Sequence, residues 1–174
     1  MTTPPSIAPM MVFQVPDDPA WLQAFGRVSI VHAHLDHILR MLIKSLTGLT
    51  VEVALDATER ETSAVLRDRI KRLARQRLGE GAPLLQVQAL IERCRRATEQ
   101  RNNLVHNIIA SDWLGETLMR KAGSKWAPLP TQDALNALAE QIVQLTREIN
   151  NSRLNGGWLE LELAKSSAAK PAAQ

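Results

Sequence analysis

Tyrosine is absent from this chain of 174 residues, phenylalanine occurs twice and cysteine once. With so few rings the core must be built from Leu, Ile, Val and Ala. The same poverty disfavours the class of single-strand binders that stack bases on aromatic platforms. A lone cysteine cannot close an internal disulfide, so a reducing compartment is expected. Cys94 falls in an apolar stripe and reads as a small buried hydrophobe rather than a catalytic thiol. No apolar run approaches the roughly 20 residues of a membrane span, and the opening MTTPPSIAPMMVFQVPDDP lacks the basic and apolar regions of a secretory leader. A cytoplasmic protein without membrane contact is the expectation. Glycine-rich phosphate loops, paired Cys ligands and internal repeats are missing too, and no metal or cofactor is expected.

What is present is helical periodicity over a length that suits one domain. A Pro-rich irregular segment covers 1–18, a single helical domain 19–158, and 159–174 reads as a disordered tail. Asp17 or Asp18 caps a first helix that carries Pro19 in its first turn and stops at Gly48. Leu22, Phe25, Val28, His32, Leu35, Leu39, Leu42 and Leu46 lay a stripe along it, widened by Val31, Ile38 and Met41. VEVAL, from Val51 to Leu55, alternates like a strand but is too short to decide. Thr58 with Glu61 resembles a capping box, with Thr62 or Ser63 as alternative caps, for a second helix that runs to Leu78. Gly79 and Gly81 end that helix, and Pro83 begins a third that reaches Ile109. Gly123-Ser124 fits the turn of a small β-hairpin near 116–127. Thr131 caps a last helix striped by Leu135, Leu138, Ile142, Leu145 and Ile149. The expected fold is all-α: an up-and-down bundle of about four main helices with that small hairpin.

The third helix carries the feature of most interest. Val87, Leu90, Cys94, Ala97, Leu104 and Ile108 recur at spacings of three and four, and Arg101 takes the one place in that stripe where another apolar residue belongs. A cation at a core-facing position needs an anion, a partner or water. At about 100° per residue, Asn102 and His106 lie roughly 40° apart, while Arg101 lies about 140° from His106. Arg101 and His106 can therefore flank a groove without stacking on each other. Arg101-Asn102-Asn103-Leu104-Val105-His106 resembles the Rx4-6H motif of the HEPN superfamily in its form RN-x-x-x-H, near the end of a long helix. The strict match covers six residues, and the likeness extends loosely to the helical architecture. The resemblance implies that Arg101, Asn102 and His106 line a cleft between two subunits of a homodimer. It also implies RNA cleavage without a metal, leaving a cyclic phosphate on the product.

His32-Ala33-His34-Leu35-Asp36-His37 reproduces the HxHxDH string by which the metallo-β-lactamase superfamily binds two metal ions. That string works on a loop, whereas here it lies in helical periodicity that turns His32 and His34 about 160° apart. His106 is the only other histidine, so further ligands are lacking. His32 reads as a hydrogen-bonded core histidine, and His34, Asp36 and His37 as helix-surface or interface groups. If the first and third helices are neighbours, a member of this group can reach the Arg101–His106 cleft.

Basic charge is concentrated rather than large. From Glu59 to Arg101 eleven Arg or Lys stand against six Asp or Glu, an excess of +5 where the whole chain carries +3. Arg67, Lys71 and Arg75 align along the second helix, and Arg93, Arg95 and Arg96 continue toward Arg101, a set suited to RNA. Solvated salt-bridged helix faces are the plainer reading of the same residues. Two functions follow. One is a metal-independent endoribonuclease, a toxin or defence factor in biological terms, held by an antitoxin-like protein partner. The other is a non-catalytic helical module that binds RNA, a nucleotide or a protein, with Arg101 and His106 fixing helix or subunit register.

Overall fold

The computed structural model describes residues 12–111, 116–121 and 125–168. Helix α1 spans Pro19–Thr47, α2 Val51–Asp56, α3 Ser63–Leu78, α4 Ala82–Val105, α5 Gln132–Ser152 and α6 Trp158–Ala168. Strands β1 (Val12–Phe13), β2 (Ile108–Ser111), β3 (Thr117–Lys121) and β4 (Lys125–Pro128) form one antiparallel sheet in that order. The architecture is thus all-α with a small hairpin. The four long helices close a ring in which α1 packs on α3 and α5, and α4 packs on the same two.

Local chemistry sets the helix ends. Asp18 accepts hydrogen bonds from the amides of Ala20 and Trp21 at 2.9 and 3.2 Å, satisfying donors that the first turn leaves free. At the other end of α1, Gly48 adopts φ +75°, a left-handed conformation open to glycine, and returns its amide to the Lys44 carbonyl at 2.9 Å. Thr131 caps α5 through the amide of Ala134. The core is aliphatic: Leu35, Leu39, Leu42, Ile43 and Leu46 of α1 meet Leu66 and Ile70 of α3, Leu84 and Ile91 of α4, and Leu135, Ile142 and Leu145 of α5. Burying such side chains stabilises a fold by about 1.5–3 kcal/mol each before chain entropy is counted.

Several expectations are resolved or corrected. VEVAL is helical: Val51 and Val53 are both exposed, so their alternation marks no buried strand face, and the Thr50 hydroxyl caps the short helix α2 at Val53. Thr58 does not cap α3; its hydroxyl is buried and donates to the Ala54 carbonyl at 2.7 Å, while Thr62 takes the capping role. The third helix stops at Val105 rather than Ile109, so Ile108 leaves the stripe, enters β2 and is exposed. Strands β3 and β4 form the expected hairpin, paired from Leu118↔Pro128 to Lys121↔Lys125, and its Gly123-Ser124 turn lies outside the described residues.

The largest departure concerns both ends of the chain. Phe13 pairs with Ala110, which adds an edge strand where 1–18 was expected to be irregular. Residues 158–168 form α6 rather than a tail, because Leu159 and Leu163, one turn apart, both bury against the core. Gly157 lets α6 approach: a Cβ there would stand 2.1 Å from the Asn151 carbonyl oxygen and 2.4 Å from that of Ser152. No helix among the described residues is long and apolar enough to cross a membrane.

Trp21 Nε1 donates to the Pro130 carbonyl at 2.8 Å, and Arg27 pairs with Glu140 at 3.5 Å, so α1 and α5 run in the same direction. Their N-termini meet the C-terminal end of α4 and the sheet at one end of the bundle. His106 lies at that end.

Candidate anion site between three helices

Arg101 is half-buried and belongs to α4, where it continues the face that buries Ala97 and Thr98 one turn earlier. Its NH1 donates to Asn102 Oδ1 at 3.1 Å, while its Nε is buried without a hydrogen-bond partner. Among the described residues no carboxylate forms an ion pair with it. His106 occupies the C-cap of α4 with its amide bonded to the Asn102 carbonyl at 3.0 Å, and its side chain is exposed. Val105 and Ile108 on either side of it are exposed apolar residues.

The interior beside Arg101 holds a polar cluster drawn from three helices. His32 of α1 is 3% exposed and its Nε2 lies 3.2 Å from Thr98 Oγ1 of α4, itself in a residue 5% exposed. The Thr98 hydroxyl donates to the Cys94 carbonyl at 2.9 Å, which spends its one proton. It must accept from its other neighbours, so His32 carries its hydrogen on Nε2 and Arg67 NH1 of α3 donates to the same oxygen at 3.2 Å. The second ring nitrogen of His32, Nδ1, then faces Asp36 Oδ2 at 3.6 Å, too far for a hydrogen bond. Asp36 Oδ1 instead accepts the Ser63 hydroxyl at 2.6 Å. Burial holds the His32 pKa below its ordinary value; the Asp36 carboxylate opposes this shift, and the charges of Arg101 and Arg67 add to it.

These contacts sort the residues singled out in the sequence. His32 is a core histidine, and it meets the motif helix through Thr98 rather than through a bond to Arg101 or His106. Asp36 is turned toward α3, whereas His34 and His37 are exposed. Among the described residues no three His, Cys, Asp or Glu side chains converge closely enough to hold a metal ion. Cys94 is fully buried, and desolvation pushes its thiol up to about 12.

The basic row does not form one free surface. Lys71 pairs with Asp68, Arg75 with Glu80, and Arg93 with Glu148 of α5 at 2.7 Å. Arg95 binds Glu92 and Glu99, and Arg96 binds Glu92 at 3.2 Å. Hydrogen bonds from Arg95 and then Arg96 hold the Glu92 carboxyl down to about 2. Arg67 is the member of the row that turns inward, to Thr98.

Sequence reasoning did not single out Thr98 and placed Arg67 on an outer face. A signal for Thr98 was present: it precedes Arg101 by three residues on a helix, so both lie on one side of α4. A cleft of about 440 Å³ near the end of α4 is lined by Gln100, Asn103, Leu104, Met119, Leu135 and Leu138 among others, and includes neither Arg101 nor His106. Comparison of the chain with protein-family models, with characterised proteins and with solved structures finds no match.

Proposed function

We propose that this chain is a HEPN-like, metal-independent endoribonuclease in which Arg101 and His106 act on the RNA phosphodiester at a dimer interface. The observation that carries the reading is the state of Arg101: a half-buried guanidinium with an unpartnered Nε and no paired carboxylate among the described residues. Such a group gains most from an incoming anion, because a buried charge without compensation is costly and a guanidinium matches a phosphate in a forked geometry. His106, solvent-exposed within two turns of Arg101, is the residue of the motif able to take or give a proton near neutrality.

In the proposed reaction the ribose 2′-oxygen forms a bond to phosphorus and the bond from phosphorus to the 5′-oxygen breaks. One histidine removes the 2′-hydroxyl proton and a second protonates the leaving oxygen, giving a cyclic phosphate and a 5′-hydroxyl. Arg101 stabilises the charge that grows on the non-bridging oxygens, and Asn102, which already accepts from Arg101, orients it. One His106 per chain supplies one proton site, so an isologous dimer supplies the second. Exposed Val105 and Ile108 flanking His106 favour such burial against a second copy.

A non-catalytic module is the second reading, favoured by the buried contacts of His32, Thr98 and Arg67, which tie α1, α3 and α4 together beside Arg101. RNA incubated in excess EDTA with the wild type and with His106→Ala separates the two. Cleavage by the wild type alone supports the nuclease; equal cleavage by both proteins, or none by a dimeric wild type across several RNAs, sinks it. Sedimentation as a strict monomer at micromolar concentration would count equally against the shared cleft.

A further inference from the structure

Among the described residues no charged side chain lines the cleft near the end of α4, although charged residues make up 22% of the chain. The floor of the cleft is apolar and belongs to the core: Leu104 of α4, Met119 of β3, and Leu135 and Leu138 of α5 are all buried. Its polar side chains are amides. Gln100, Asn103 and Asn107 follow one another at spacings of three and four, which sets them on one side of the end of α4.

Those amides offer both kinds of hydrogen-bonding partner. No hydrogen bond among the described residues engages the side-chain amide of Gln100 or of Asn103. Asn107 gives its Nδ2 to the Asn103 carbonyl, which leaves its Oδ1 as an acceptor. A ligand that answers this cleft is therefore neutral, apolar on its faces and edged with donors and acceptors. A charged one would lose water there without gaining a counter-charge. At about 440 Å³ the cleft has the size of small-molecule pockets and suits one ring system rather than an extended chain.

An unpaired nucleobase has this chemistry. Its faces are apolar, its edge carries donors and acceptors, and a side-chain amide meets the N6 and N7 atoms of adenine as a bidentate pair. No aromatic side chain lines the cleft among the described residues, so a bound base rests on aliphatic groups and is read at its edge instead of by stacking. Position agrees with this chemistry. Asn103 and Asn107 bracket His106 in the chain, three residues before it and one after, so a base held here brings its ribose to the end of α4 that His106 caps.

We infer that this cleft is a nucleobase site, with Gln100, Asn103 and Asn107 reading the base edge above a floor of buried leucines and Met119. That the base belongs to an RNA cut beside it rests on the nuclease reading; the base site itself does not.

The test is calorimetric titration of the whole protein with adenosine, guanosine, cytidine and uridine, since a nucleoside carries a base and no phosphate. At millimolar concentration at least one should bind saturably, and ribose alone should not. Asn103→Leu and Gln100→Met, which keep bulk and remove the amide, should each weaken that nucleoside about tenfold, the scale of one bidentate pair. Ala134→Trp, at an exposed position of the lining, fills the cleft and should abolish binding. Arg27→Gln, outside the lining, should leave it unaltered. All three lining positions are exposed, so if one variant does not fold the other two carry the test. Binding of no nucleoside, or binding that the lining variants leave unaltered, overturns the site.

Cleavage supplies the second arm. An active wild type should cut beside the base whose nucleoside binds, and Asn103→Leu should lose that preference. Cutting without base preference by a protein that binds no nucleoside would reject this inference and keep the nuclease. Nucleoside binding that depends on Asn103, in a wild type that cleaves nothing, would keep this inference and reject the nuclease.

Discussion

Two sets of arginines on neighbouring turns of the same bundle have opposite chemistry. Arg95 and Arg96, on the outer side of α4, share Glu92, and Arg95 adds Glu99. Arg67 and Arg101, on the inner side of α3 and α4, meet a threonine hydroxyl and an asparagine carbonyl oxygen. The first set is a solvated helix face whose charge is already answered, and exposed pairs of this kind contribute little to stability. The second is partly removed from water and has no paired carboxylate among the described residues. An excess of basic residues in a sequence therefore locates anion affinity poorly; what matters is which cations lack a carboxylate once the helices are packed.

The sharpest way to break this contrast is through cleavage. On the proposed nuclease reading, Arg101→Ala should reduce RNA cleavage by about 100-fold or more, a loss typical of removing a group that stabilises transition-state charge, whereas Arg95→Gln should cost far less. Single-turnover rates on one RNA compare the two directly; equal losses would erase the distinction between inner and outer arginines. Next in size is Thr98→Val, which keeps the shape and removes the oxygen that serves both His32 and Arg67. It should destabilise the protein by about 1–3 kcal/mol, the cost of leaving buried donors unsatisfied, read from urea midpoints. No loss would mean that the cluster is wetter than its burial indicates.

A smaller effect is expected with pH. Because His32 titrates lower in the folded state than its ordinary value near 6.5, the unfolded chain binds more protons in that interval. Its contribution is complete above the unfolded value and is lost as pH falls through 6.5 toward the lowered folded one. Stability measured at intervals from pH 7.5 to 5 should decline, and His32→Gln should flatten the decline; an unaltered slope would show that other groups set it. Smallest of all, Arg95→Gln should leave the melting temperature within experimental scatter, since its partners stand in water. Cys94, with its thiol raised to about 12, should not react with a thiol reagent until the chain unfolds.

Much of the frame was legible because it rests on local rules. Asp18, Thr131 and Gly48 mark helix ends through hydrogen bonds within one turn, and the three-four stripes of α5 and of α1 from Val28 onward match the faces that they bury, whereas in the first turns of α1 the expected Leu22 is exposed and Trp21 and Ala24 are buried. Reading failed where a distant partner decides. Trp158–Ala168 is rich in the helix formers Leu, Glu, Ala and Lys but is too short to hold a helix by itself; that segment is ordered by Leu159 and Leu163 meeting a surface that α3 and α5 provide. VEVAL stayed undecided in the sequence because its alternation spans only five residues, and it is helical with Val51 and Val53 exposed. The end of α4 at Val105 is set where β2 leaves to pair with β3, a nonlocal choice that no cap residue announces.

The site divides along the same line. Arg101 as an intruder in an apolar stripe, His32 as a core histidine and Cys94 as a buried hydrophobe follow from the sequence alone, because helical periodicity assigns each residue a face and burial assigns each chemistry a cost. Which groups then answer those costs is a matter of neighbours far apart in the chain. Only the packing of α1, α3 and α4 brings His32, Arg67 and Thr98 to one point and leaves Arg67 and Arg101 without a paired carboxylate among the described residues, since hydrogen bonds and ion pairs act over a few ångströms of space and not along the chain.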